Sequence, residues 1–191
     1  MGKIILVLFA ILSSCFWGSV MNFSEKDIKD KENVVYNSGF ENDEFDPQII
    51  PDGWFDLENT PEYLAWDNTD SHAGSRSLKV NFPKQNITII SDSFPIDADY
   101  VYYSRFFVKT NYNSNDTITI RFLAFDSKGK RVGKFSDKGL PEKEWTQIDI
   151  TSGFLKSTAR FGRIVISISE KPDKIYWLDD IESFAVYRIQ K

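Results

Sequence analysis

Two adjacent acids, Asp179 and Asp180, interrupt the apolar run Tyr176-Trp177-Leu178-Asp179-Asp180-Ile181 near the C-terminus. The run reads as a strand, whose neighbouring side chains point to opposite faces. One acid therefore shares the side of Leu178 and the other that of Trp177 and Ile181. At least one faces inward, and an ionised carboxylate against a core needs a cation, a cluster of backbone N–H groups or a partner side chain. His72 is the only histidine, so acid–base catalysis by histidine would rest on it alone. Its place in the turn His72-Ala73-Gly74-Ser75 points instead to a hydrogen-bonding role. Cys15 is the only cysteine, so no internal disulfide can form.

The elements that must hold these groups are strands. From about Val34 the chain is rich in aromatic and β-branched residues and broken at short intervals by Gly, Pro, Asn and Asp. Strands are expected at Val34–Tyr36, Leu64–Trp66, Ser77–Phe82, Ile87–Ser91, Val101–Asn111, Thr117–Asp126, Thr146–Thr151, Arg163–Ser169 and Ile175–Arg188. In one of them Ile164, Ile166 and Ile168 take one face while Arg163, Val165 and Ser167 take the other. No long segment has helical periodicity. Short strands at this spacing predict an all-β domain, a jelly-roll β-sandwich of two antiparallel sheets over residues 34–191.

Ahead of that domain, Met1-Gly2-Lys3 and the apolar run Ile4–Leu12 read as a signal peptide over residues 1–14, too short to span a bilayer. Leu12-Ser13-Ser14-Cys15 resembles the lipobox of bacterial lipoproteins, which implies acylation of Cys15, export and attachment to a bacterial membrane, on its periplasmic face or at the cell surface. Residues 15–33, with the mixed charges of 25–32, are expected to form a solvated tether. Three N-x-S/T sequons, at Asn22, Asn86 and Asn115, carry no weight in a bacterial host.

Four stretches, in order, resemble carbohydrate-binding modules of families 4, 9, 16 and 22, which are galactose-binding-like jelly rolls. They are Asn37-Ser38-Gly39-Phe40-Glu41, Pro51-Asp52-Gly53-Trp54, the turn and strand 71–80, and Trp177-Leu178-Asp179-Asp180-Ile181. The resemblance implies a structural calcium held by Glu41, by Asp179 or Asp180, and by backbone carbonyls of the turn, Ser75 and Arg76 among them. Oxygen donors of that kind suit a hard cation. The alternative is that these acids are rim groups paired with Lys79 or Arg76.

The resemblance also implies a polysaccharide or oligosaccharide partner on a concave sheet. On the strand around Tyr103, alternation sends Tyr102, Ser104, Phe106 and Val108 to the core and leaves Tyr103, Arg105, Phe107 and Lys109 outside. Aromatic faces stack on sugar rings while polar neighbours orient hydroxyls, so Tyr103, Arg105 and Phe107 are ligand-binding candidates. Arg121 is expected to join them on the same face, with Trp66 and Trp54 at the rim. Trp54 also matches a motif tryptophan that often serves packing, and Trp145 stands where a structural one is usual.

The function expected is non-catalytic glycan binding by a membrane-anchored lipoprotein; the alternative is a structural or adhesive lipoprotein that uses the sandwich against another protein. Hydrolysis would need two carboxylates across a groove, and no such pair can be placed. Separately encoded glycan-degrading enzymes are possible partners. The net charge of -5 turns one unit more negative once Lys3 leaves, which argues against nucleic acid. Arg105, Lys109 and Arg121 would still favour an acidic glycan locally.

Overall fold

Residues 22–42, 50–112 and 115–189 are described by a computed structural model of the chain. Cys15 and the signal-peptide reading lie outside them. Among the described residues one short α-helix, α1 (Glu25–Ile28), precedes eleven strands, with a 3-10 turn (Pro61–Tyr63) between the first two: β1 (Trp54–Asp56), β2 (Leu64–Asp67), β3 (Ser77–Asn81), β4 (Ile87–Ser91), β5 (Phe94–Pro95), β6 (Tyr100–Thr110), β7 (Ile118–Asp126), β8 (Arg131–Gly139), β9 (Thr146–Thr151), β10 (Ala159–Ile168) and β11 (Ile175–Arg188). One sheet runs β1-β4-β10-β7-β8, with β5 also on β10; the other runs β2-β3-β11-β6-β9. The strand pairs are antiparallel, and the two sheets form the expected jelly-roll sandwich.

The core follows from alternation. Ile164, Ile166 and Ile168 of β10 are buried against Phe106 and Val108 of β6, Leu78 and Val80 of β3, and Ile118, Ile120 and Phe122 of β7 in one apolar cluster. Each such side chain stabilises the fold by roughly 1.5–3 kcal/mol over its exposed state. Tyr102, Ser104, Phe106 and Val108 do face inward, and the one polar member, Ser104, donates from its Oγ to Ser183 Oγ at 2.8 Å.

Three departures from the sequence reading have physical causes. Val34–Tyr36 is no strand: Asn33 makes an isolated bridge to Phe184, and the chain then turns, with Asn37 and Phe40 at φ of 48° and 58°. The edge strand β8 was hidden by its polarity, because the outermost strand of a sheet keeps mostly solvent-facing residues. Strict alternation also fails in β11, where the register shifts between Asp179 and Glu182 and Asp180 adopts φ 45°. This bulge turns Leu178 and Ile181 both into the core, while Asp179, opposite Phe107, is buried under the His72–Ala73 turn.

Residues 22–33 are not the free tether their charges suggest. Phe23 and Ile28 pack on Tyr103 and Phe184, on the outer face of the five-stranded sheet. Asp27 accepts hydrogen bonds from the Ser24 N–H at 2.8 Å and its hydroxyl at 3.0 Å, closing the first turn of α1. Asn33 Oδ1 accepts from the backbone N–H groups of Ser183 at 3.0 Å and Val35 at 3.1 Å. Few apolar residues suffice because the sheet supplies a ready hydrophobic seat.

Candidate functional site

The rim where the two ends of the domain meet is built on Gly39. A Cβ at that position would lie 3.3 Å from Asp180 Oδ1, 3.8 Å from Asp179 Oδ1 and 3.9 Å from Glu41 Cγ, so two carboxylates and the stem of Glu41 close on one missing side chain. Asp179 is wholly buried and accepts from the N–H groups of His72 at 2.7 Å, Ala73 at 3.3 Å and Asp180 at 2.7 Å. Asp180 Oδ2 meets His72 Nδ1 at 2.6 Å. Glu41 accepts from Ser75 N–H at 2.8 Å, Ser75 Oγ at 2.7 Å and Arg76 N–H at 3.0 Å. Gly74, at φ 60°, leaves the space that the Glu41 carboxylate fills.

The charges differ along this rim. Burial, then the neighbouring Asp180 charge, pushes the Asp179 carboxyl up to about 7 against its three N–H donors. Burial opposes ionisation of Glu41 too, but the Ser75 hydroxyl, the N–H groups of Ser75 and Arg76 and the Arg76 charge hold its carboxyl below the usual range. Lys79, offered by sequence as a partner for these acids, instead reaches Asp67 at 3.4 Å. Among the described residues no three His, Cys, Asp or Glu side chains already form a metal cage. Glu41, Asp179 and Asp180 are hard oxygen donors of the type that calcium takes together with carbonyls.

The β6 face behaves differently from the sequence expectation. Tyr103 is 3% exposed, roofed by Phe23 with ring centroids 6.3 Å apart, and its hydroxyl accepts from Gln147 Nε2 at 2.9 Å. Burial, followed by the charge of Asp149, pushes that hydroxyl's pKa well up. Arg105 donates from Nε to Glu182 at 2.7 Å and pairs with Glu25 of α1. Phe107 carries the His72 ring stacked at 3.6 Å, and Lys109 pairs with Asp70 at 2.7 Å. Partners from the protein itself thus occupy the groups expected to meet sugar.

The other candidates part company with them. Trp54, 4% exposed, packs on Phe40 and donates to the Asn37 carbonyl at 3.0 Å. Trp66 donates to the Phe40 carbonyl at 2.8 Å, and the Arg76 guanidinium lies 3.9 Å above its ring. Both tryptophans brace the turn that delivers Glu41. Arg121 does not share a face with Tyr103 and Arg105, because β7 belongs to the six-stranded sheet.

There Arg121 lies in a cross-strand row, Phe55, Ile90, Val165, Arg121 and Ser136, and donates to Ser167 Oγ at 2.7 Å. Paired residues share a face, so Arg163, Lys134 and Lys138 join it on the outside of the sheet. Phe55 and Phe161 are 46% and 41% exposed, and a hollow of about 360 Å³ opens between Ile90, Ser93, Phe125, Phe161 and Arg163. The signal for this face was present in the alternation Arg163, Val165, Ser167. The denser aromatic alternation on β6 masks it in the sequence.

No protein-family model and no curated protein sequence matches the chain. Solved structures do. A family 61 carbohydrate-binding module in complex with β-1,4-galactotriose aligns over 81% of this chain and 99% of its own, at 15% identity and TM-score 0.52. A family 16 carbohydrate-binding module aligns over 79% and 99%, at 13% identity and TM-score 0.57. The fold is that of carbohydrate-binding modules. The family 22 xylan-binding domain from Paenibacillus barcinonensis shares it as well, over 82% of this chain and 96% of its own, at 12% identity and TM-score 0.54. At these identities the likeness establishes the sandwich and leaves the ligand to the chemistry of the faces.

Proposed function

We propose that this protein is a non-catalytic glycan-binding module, exported and held at a bacterial membrane through acylated Cys15, that meets its glycan on the outer face of the six-stranded sheet. The observation that carries this reading is the hollow walled by exposed Phe161 and by Arg163, on a sheet face that also carries Phe55, Arg121, Lys134 and Lys138. Exposed rings offer the apolar face of a sugar a platform at low entropic cost. The cations orient hydroxyls and draw carboxylated sugars, so an acidic glycan is the favoured ligand. Hydrolysis would call for opposed carboxylates; in their place the described lining supplies Arg163.

At the distant rim, Glu41, Asp179, Asp180 and the carbonyls of Ser75 and Arg76 would hold calcium. Its chemistry there is charge neutralisation: it would let Asp179 stay ionised while buried and tie Gly39 to the last strand. Separately encoded glycan-degrading enzymes would act beside a module of this kind.

Binding of the purified protein to β-1,4-galactotriose, xylohexaose and polygalacturonate, followed by calorimetry, tests the reading. Phe161→Ala and Arg163→Ala are expected to weaken polygalacturonate binding about tenfold or more, as for loss of a stacked ring or a charged hydrogen bond. Unchanged affinity in both, with the fold intact, would reject this face. Exposed Phe55 and Leu57 at the β1 edge favour the adhesive alternative; a protein partner lost on Phe55→Ser in a protein that binds no glycan would establish it. Cys15→Ser should release the protein from the membrane fraction if the anchor is acyl.

A further inference from the structure

The sandwich has a second opening, along the side where β8 and β9, the outermost strands of the two sheets, pass each other. A hollow of about 450 Å³ lies there, walled by Phe135, Phe154, Ser136, Asp137, Asp149 and Thr151. Its size falls within the range of small-ligand sites, ~300–1,000 Å³. Phe154 is 66% exposed, the most exposed of the large apolar side chains among the described residues. The residue before it, Gly153, has φ +59°, and a Cβ there would stand 3.1 Å from the Phe135 ring. That left-handed turn presses the loop onto Phe135 and leaves the next ring turned to solvent. Phe154 thus stands exposed on a wall that includes Asp137 and Asp149, and a pyranose, with one C–H face and an edge of hydroxyl donors, suits such a wall.

We propose that this hollow is a second carbohydrate subsite, which takes an uncharged sugar ring stacked on Phe154 with its hydroxyls donated to Asp137 and Asp149. The sign of the charge sets the class: two carboxylates repel a uronate and accept from a neutral sugar, the reverse of the arginine-bearing sheet face. Two faces of opposite charge would let one domain hold neutral and acidic chains together, with the gain in avidity that two sites confer. The proposal rests on the glycan-binding reading but not on the choice of the six-stranded face.

Calorimetric titration of the purified protein with xylohexaose as the neutral probe and an oligogalacturonate as the anionic one separates the two. Phe154→Ala and Asp137→Asn are each expected to weaken xylohexaose binding at least tenfold while leaving the oligogalacturonate affinity and the thermal midpoint unchanged. Phe161→Ala is expected to do the opposite. Xylohexaose binding that survives Phe154→Ala and Asp137→Asn but is lost in Phe161→Ala overturns the second subsite and spares the sheet face. A wild-type protein that binds neither probe overturns both.

Discussion

His72 lies flat on Phe107, with ring centroids 3.6 Å apart and planes 11° from parallel, while its Nδ1 meets Asp180 at 2.6 Å. The only histidine of the chain thus joins the acid rim to the outer face of the five-stranded sheet, and Trp145 closes on it edge-on at 5.8 Å. His72→Ala removes the stacked pair and the Asp180 partner together. A loss of about 1–2 kcal/mol is expected, read as a lower midpoint in denaturant unfolding, with glycan affinity unchanged.

Arg105 sits between two carboxylates, Glu182 within the sheet and Glu25 on α1. Burial raises the Glu182 carboxyl's pKa, opposed by the hydrogen bond and charge of Arg105. Arg105→Ala strands Glu182 without its cation and is expected to cost about 2–4 kcal/mol. Replacing both, Arg105→Met with Glu182→Leu, should restore much of that. Circular dichroism during urea unfolding checks the pair; a single variant of full stability that fails to bind glycan would return the site to this face.

Calcium at the rim of Glu41, Asp179 and Asp180, as proposed, would make stability depend on the cation. Calcium at a hundredfold excess over its dissociation constant should raise unfolding free energy by about 2.7 kcal/mol relative to chelator. Glu41→Gln and Asp179→Asn should each abolish most of that difference. Scanning calorimetry with and without chelator reads it, and wild-type traces that superimpose would remove calcium from the rim.

Asp67 offers an acid-sensitive contact away from that rim. It accepts from Thr69 Oγ at 2.6 Å, Trp177 Nε1 at 2.8 Å and Thr69 N–H at 2.9 Å. Burial opposes its ionisation, yet these donors and the Lys79 charge bring the carboxyl down to about 2. A folded value below the unfolded one means the stabilisation is fully present above about pH 4 and disappears as pH falls toward 2. Asp67→Asn should therefore lose about 1–2 kcal/mol at pH 6 and show a flatter acid limb than wild type in a pH series of unfolding midpoints.

By itself the sequence determined the class of fold and most of its strands. β4, β9 and β11 fall on the expected residues to the position, because alternating Ile, Val, Thr and aromatic residues between turn formers leave the backbone one low-energy pattern. The grouping of Glu41 with Asp179 and Asp180 was implied by the resemblance of their stretches to carbohydrate-binding modules, not by local chemistry. Alternation says which residues leave the core, but not what then covers them. Tyr103 and Arg105 read as open to a ligand, and only the packed chain revealed Phe23, Ile28 and Glu25 above them. Arg121 was assigned to the wrong sheet because strand partners are chosen by contacts between residues far apart in sequence. Asp180 shows the same limit at one residue: as the extra residue of a bulge it lets Leu178 and Ile181 both face the core, while Asp179, opposite Phe107, lies on the outer face and is buried under the His72–Ala73 turn.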